Sequence, residues 1–462
     1  MGYRIREMVA TCHLGQDVTI DALARVVPQA ALEAALEVTG THEDRDRALS
    51  YTTVLWVVIA MNLFTTVALG QVLRKVVQGR RFVWPDPEAR IPTASALCYR
   101  RYQLGARPVV ALFHQTCRPI ATPATPGAFR FGLRLMVIDG TTELVPDTPA
   151  NAAAFGRPTN QSGECAYPQI RIVYLLEAGT HALVDAGVWP YRVSEWVGAY
   201  RVLRSVEAGM LVLVDRGLHS YDFITAVRRR DAHVLGRLPA NIGVEVVRRL
   251  ADGSVLAWLR PANADRRPDA VPILVRIITY TLTDPALPGA GEEHRLLTTL
   301  LEPAVAPAIA VVCAYHERWE VEITIDEHDT HQRLPTQPLR SKKPVGVIQE
   351  LYGLLLAHYA VRVLMHEAAL TAEVDPDRLS FVHAVRVIQD AIPEFQMVAP
   401  ADLPRLAARL LHDIAQGRLP ARRHRSNPRV VKRPQSKFPR KRPKHTTWPQ
   451  PTTPFREAIL LI

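Results

Sequence analysis

Two apolar stretches of strand length, FGLRLMVIDG (131–140) and MLVLVDRG (210–217), each run into an aspartate, Asp139 and Asp215. Runs rich in Val, Ile and Leu and closed by glycine read as buried strands. A carboxylate at the end of such a strand is costly unless it is solvated, paired or bound to a cation. Strand ends are also where α/β sheets gather their sites. RIVYLLEAG and HALVDAGVW are further strand candidates, and YDFITAVRRRDA follows Asp215 as a helix. The fold class is therefore α/β, with flanking helices.

Around this centre the periodicity changes. Residues 1–105 are helical in pattern, as in DALARVVPQAALEAALEV and LGQVLRKVVQGRRFVW, and read as an N-terminal domain. The Pro- and Thr-rich CRPIATPATPGAF falls in a linker over 106–130. A first core segment spans 131–240. Short β-like pieces over 241–301 (VEVVRRLADGSVLAWLRP, PILVRIITYTLTD, HRLLTTLL) read as a β-rich insertion. Helical periodicity returns over 302–375, two shorter helices occupy 376–417, and 418–462 is a basic tail expected to be flexible.

Charge and cysteine usage narrow the class. Lys and Arg total 56 against 45 acids in 462 residues. Twelve of those bases lie between Arg418 and His445 with no acid among them, leaving 44 against 45 elsewhere. The polyanion signal is thus largely the tail, including Arg422, Arg423, Arg425, Lys432, Arg433, Arg440, Lys441 and Arg442, a segment expected to order on phosphate. A solubilising tail is the competing reading. Five scattered cysteines (Cys12, Cys98, Cys117, Cys165, Cys313) form no CxxC pair, which argues against a disulfide framework or structural zinc and suits a reducing cytoplasm. The stretch 48–73 has no charged residue and is long enough to span a bilayer, but Asn62, Gln71 and four threonines make it a buried helix of a helical domain. No GxSxG, HExxH, GxGxxG or GxxxxGK[ST] is present, so serine hydrolases, zinc proteases, dinucleotide enzymes and P-loop ATPases have no support.

A third acid completes a set. In AYHERWEVEITIDEH, Tyr315, Arg318, Trp319 and Glu322 stand at i, i+3, i+4 and i+7, one face of a continuous helix. The carboxylate suits a metal, the guanidinium a phosphate, the aromatics a base or sugar. Three carboxylates brought together repel one another, and hard cations such as Mg²⁺ relieve this. Taken singly, each acid is as readily a turn, a cap or half of a surface pair. Asp147, Asp222, Asp326 and Glu327 are acids of that kind. His328 and His331 lack a third ligand at a metal-binding spacing.

These residues resemble the DDE transposases of bacterial insertion sequences, in the IS-four group with its Tyr-x-x-Arg-x-x-x-Glu signature. Tyr315, Arg318 and Glu322 match it in register, and VIDGTTELVPDTPAN and VLVDRGLHSYD resemble the contexts of that family's two aspartates. FGRPTNQSGECAYPQIR and LRSKKPVGVIQELYGLLLAHYAVR are similar to further family blocks. The signature's lysine, seven residues after the glutamate, falls on Asp329, so that role would pass to Arg333, Lys342 or Lys343, or be absent.

The resemblance implies a ribonuclease-H-like mixed sheet with a β-rich insertion. It implies two Mg²⁺ (or Mn²⁺) ions on Asp139, Asp215 and Glu322, and DNA held by Tyr315, Arg318 and Trp319. The expected reaction cuts the element's ends and joins the 3′-hydroxyl to target DNA, in a homodimeric complex at the nucleoid and away from membranes. End recognition is expected within residues 1–105, where no helix stands out as a reading face. A nuclease of the same core without strand transfer, and a non-catalytic DNA-binding descendant, are the alternatives.

Overall fold

A computed structural model describes residues 2–7, 20–45, 47–86, 88–160, 163–240, 242–262, 267, 269–333, 337–420, 442–443 and 449–462. The helices are α1 (Gln29–Val38), α2 (Tyr51–Ala60), α3 (Leu69–Val76), α4 (Arg80–Val83), α5 (Ala94–Leu104), α6 (Arg107–Thr116), α7 (Pro149–Phe155), α8 (Glu195–Val202), α9 (Tyr221–Arg228), α10 (Ala308–His316), α11 (Glu320–Asp326), α12 (Pro344–Thr371), α13 (Phe381–Met397) and α14 (Leu403–Gln416). The strands are β1 (Phe129–Arg130), β2 (Leu133–Leu144), β3 (Thr159–Asn160), β4 (Gly163–Glu164), β5 (Gln169–Glu177), β6 (Ala182–Pro190), β7 (Met210–Val214), β8 (His233–Arg237), β9 (Glu245–Arg249), β10 (Val255–Leu259), β11 (Ile273–Leu282), β12 (His294–Thr298) and β13 (Ile459–Leu461). Two compact units divide the chain. The first holds Met1–Ala128, Asp139–Ser205 and Glu320–Leu419, and the second Phe129–Ile138, Val206–Trp319 and Pro420–Ile462.

In the second unit the strand order is β2-β7-β8-β12-β11-β10-β9, with β13 on β11. The pairs β2–β7 and β7–β8 are parallel, and every later pair is antiparallel. Parallel neighbours need a crossover, and α9 supplies it between β7 and β8. Residues 241–301 contribute β9 to β12, which extend this same sheet. The end of the chain joins it too: Tyr280 pairs with Leu461, and Asp284 accepts the Thr452 N–H at 2.9 Å.

Arg276 on β11 is fully buried and ties this region together. Its guanidinium pairs with Asp252 and donates to Ser254 Oγ at 2.8 Å and to the Ala306 carbonyl at 2.6 Å. The same Asp252 carboxylate accepts the Ala308 N–H at 3.0 Å, at the first residue of α10. A charge sheathed in this way stays buried because each donor has an acceptor.

The first unit is built on α12, twenty-eight residues long. Among the described residues it is the one helix long and apolar enough to cross a membrane, and its apolar window is 89% buried in the protein. The stretch 48–73 therefore has a companion that the composition of one run did not reveal. A helix apolar on all sides is a core helix, and α12 packs on α2, α6, α13, α14 and β6. At Gly353 an added Cβ would lie 2.5 Å from the Val58 carbonyl oxygen, so glycine is what lets α2 approach. Asn62 then bridges the two helices, donating to Val58 and Glu350 carbonyls.

Removing Arg276 takes the counter-charge from Asp252 and a donor from the Ala306 carbonyl. Arg276→Met is expected to cost about 3 kcal/mol in urea unfolding; a loss below about 1 kcal/mol would show that the pair does not hold α10.

Candidate active site

The two aspartates differ in setting. The parallel ladder of β2 and β7 runs from Arg134–Met210 to its last pair, Ile138–Val214, and the next residue on each strand is an acid: Asp139 and Asp215. Burial stops at the same point, since Leu135 to Ile138 and Met210 to Val214 are buried while Asp139 and Asp215 are partly exposed. The strand carrying Asp139 does not end there, contrary to the sequence reading. β2 continues to Leu144 because β5 is its neighbour as well. Each carboxylate is oriented by nearby backbone. Asp139 Oδ1 accepts the Gly140 N–H at 2.8 Å, and Asp215 Oδ1 accepts the Gly217 N–H at 2.6 Å, an Asx turn.

The helix of the third acid is less regular than its spacing suggests. Between α10 and α11 lies a 3₁₀ turn, Glu317–Trp319, and after α11 comes a π-helical turn, Glu327–Gln332. A 3₁₀ turn is wound more tightly than an α-helix, so the α-helical winding is interrupted between α10 and α11. Tyr315 thus lies in α10, Arg318 and Trp319 in the 3₁₀ turn, and Glu322 in α11, rather than in one continuous helix.

Within the second unit, Tyr315 is the centre of a polar group. Burial pushes its phenol pKa up, Asp215 adds to that, and Arg318 and Arg237 oppose it. Tyr315 thus remains a protonated donor beside Asp215, Arg318 and Arg237. Arg318 lies 5.6 Å from the ring of Trp319, which is half-exposed. Arg237, at the end of β8, is a residue the sequence reading missed; only its place beside β7 reveals it.

Within the first unit, Glu322 is exposed on α11, and the turn after it is anchored by Glu327. Burial alone would raise the Glu327 pKa. Arg362, together with hydrogen bonds from His181 and His358, outweighs it and holds the carboxylate well below its ordinary range. Arg362 Nε donates to Glu327 Oε2 at 3.0 Å, and His358 Nε2 lies 2.9 Å from the same oxygen. Glu327, read from sequence as an incidental acid, is the post that fixes the helix of Glu322. His328 is buried, and burial holds it well below its ordinary pKa, hence neutral; His331 is exposed. Near Asp139, Glu195 approaches the backbone: a Cβ at Gly140 would stand 2.9 Å from Glu195 Cγ.

Asp329, in the place of the signature lysine, is pushed up to about 8 by burial and by its hydrogen bond to Glu143. Arg333 pairs with Glu143, donates to the Gln337 carbonyl at 2.8 Å and is nearly buried, so its charge is spent inside the protein. Lys342 and Lys343 are exposed at the start of α12, where Glu350 holds the preceding loop through the Arg340 and Ser341 N–H groups. Lys343 lies 4.7 Å over the Tyr102 ring. Arg442 is exposed, whereas Arg422, Arg423, Arg425, Lys432, Arg433, Arg440 and Lys441 lie outside the described residues.

Oxygen-only donors on Asp139, Asp215 and Glu322 match the preference of a hard divalent cation. Among the described residues, no three His, Cys, Asp or Glu side chains form a ready-made metal cluster.

Residues 17–114 match the family described as Insertion element 4 transposase N-terminal, and residues 130–360 match the Transposase DDE domain. Over 418 residues the chain is 30% identical to "Transposase InsG for insertion sequence element IS4" of Escherichia coli (strain K12), covering 88% of this chain and 91% of that protein. The chain belongs to the IS4 family of DDE transposases. It is also 33% identical to "Putative transposase InsZ" of the same organism over 162 residues, 33% of this chain and 52% of that protein. The mixed sheet with flanking helices is the ribonuclease-H-like fold of such a DDE domain. Membership implies DNA as a partner and a divalent metal ion in general.

The two anchors are open to measurement. Glu327→Ala leaves the Arg362 guanidinium buried without its acid and is expected to cost about 3–5 kcal/mol in chemical unfolding. For Asp329, the folded protein holds a proton that the unfolded chain releases near pH 4. Stability should therefore fall as pH rises from about 4 towards 8. Melting temperatures across that range should slope less in Asp329→Asn; an identical slope would remove Asp329 as the titrating group.

Proposed function

We propose that this transposase is a DNA-strand-cutting and joining enzyme that moves its element by cut-and-paste. Asp139, Asp215 and Glu322 would hold two divalent cations, Mg²⁺ or Mn²⁺. When bound, such ions supply an activated water or hydroxyl and a counter-charge for the leaving oxygen. The observation that carries this reading is the pairing of Ile138 with Val214, followed on both strands by an acid.

The chain's own groups do the rest. Asp139 and Asp215 present oxygens whose direction is fixed by the Gly140 and Gly217 N–H groups. Arg318 and Arg237 offer guanidinium forks to a phosphate beside Asp215, and Tyr315 adds a neutral hydroxyl donor. Trp319, half-exposed, offers a ring to a base or sugar. Lys342 and Lys343 are the exposed bases that take the place of the absent signature lysine, in preference to Arg333, which is engaged with Glu143. The basic tail adds sequence-independent attachment to phosphate. Joining two element ends calls for two copies of the chain, so the working form is a homodimer on DNA.

Asp139→Ala, Asp215→Ala and Glu322→Ala are each expected to lower end cleavage by at least roughly 100-fold while DNA binding persists. Near-normal cleavage in any one variant would remove that residue from the set. A joining assay with a pre-cut 3′-hydroxyl end separates transposition from simple nuclease action: product is expected, and its absence alongside normal cutting would favour the nuclease.

A further inference from the structure

Helix α3 and the turn after it present two sharply different faces. Val72, Leu73, Val76 and Val77 are buried, while Gln71, Arg74, Lys75 and Gln78 are exposed. The four exposed residues stand at i, i+3, i+4 and i+7, so they form one stripe. Beyond them Arg81, Phe82 and Trp84 continue the wall of a groove of about 570 Å³, in which Asp86 is the acid. Among the described residues, the side chains of Gln71, Arg74 and Gln78 engage no hydrogen-bond or ion-pair partner. Lys75 lies only near the Phe64 ring, at 5.7 Å.

The stripe sits on a firm base within the first unit. An added Cβ at Gly79 would fall 2.2 Å from the Pro393 carbonyl oxygen, so the turn after α3 is seated directly on α13. Gln396 Oε1 accepts the Gly79 and Arg80 N–H groups at 3.0 and 3.3 Å. Long polar side chains projecting unpaired from a rigid, well-packed helix are suited to an external partner.

We propose that this stripe is a reading surface for double-stranded DNA, with α3 lying in the major groove. This rests on the transposase reading and adds the surface that chooses the sequence. Glutamine can bridge adenine N6 and N7, and arginine or lysine can bind guanine O6 and N7. An α-helix about 10–12 Å across matches a major groove about 12 Å wide. Arg81 is placed to meet a flanking phosphate. An A-form RNA duplex has a deep, narrow major groove that side chains do not read, so RNA is the poorer occupant.

The test is selection from a pool of random-sequence DNA duplexes by the full chain, followed by titration of the enriched duplex. Wild type should enrich a defined motif. Gln71→Ala/Gln78→Ala should lose preference at some of its positions while binding of an arbitrary duplex stays the same. Arg74→Ala/Lys75→Ala should bind the enriched duplex about ten-fold more weakly and lower the salt slope by about one. The same motif and affinity in both variants, no motif in wild type, or equal binding of an RNA duplex would each overturn the proposal. Asp215→Ala should enrich the wild-type motif. A chain that enriches a motif but cuts no DNA would refute the proposed reaction and leave this surface standing.

Discussion

The parallel pairing of β2 with β7 is the constraint on which the rest depends. Where these two strands are buried, from Leu135 to Ile138 and from Met210 to Val214, every side chain is apolar. The register pairs Ile138 with Val214, the last residue of each buried run, and the next residue on each strand is polar. Both positions are aspartates.

Two buried ion pairs then fix the helices that bring the remaining polar groups. In the second unit, Arg276 and Asp252 hold the beginning of α10, which carries Tyr315. In the first, Arg362 and His358 hold Glu327, in the turn after the helix that carries Glu322. Buried pairs of this kind contribute little net stability against an apolar substitute but are costly to break from one side. Their contribution is position. The exposed acids and guanidinium groups can face solvent because other charges, sealed below them, keep the backbone in place.

Much of this was legible in the order of residues. Apolar runs leading into Asp139 and Asp215, and the Tyr-x-x-Arg-x-x-x-Glu spacing, pointed to the family, and they single out the three acids that the proposed reaction uses. The parts that were not legible depend on contacts between distant segments. Glu327 reads as one more acid on a helix until Arg362, thirty-five residues away, is seen against it. Arg237 gains meaning only when β8 lies beside β7, and Glu195 only when α8 approaches Gly140. The 3₁₀ turn at Glu317–Trp319 leaves no mark in the spacing, which is why one continuous face was drawn through it. The same holds for Gln71, Arg74, Lys75 and Gln78: they become a stripe once the valines and Leu73 between them are known to be buried.

The most direct measurement is an anomalous-scattering map from crystals of the chain bound to a DNA end and soaked in Mn²⁺. The account predicts two peaks about 4 Å apart, contacted between them by carboxylate oxygens of Asp139, Asp215 and Glu322. Ordered DNA with no peak at these acids, or with the three carboxylates contacting no common ion, would contradict it.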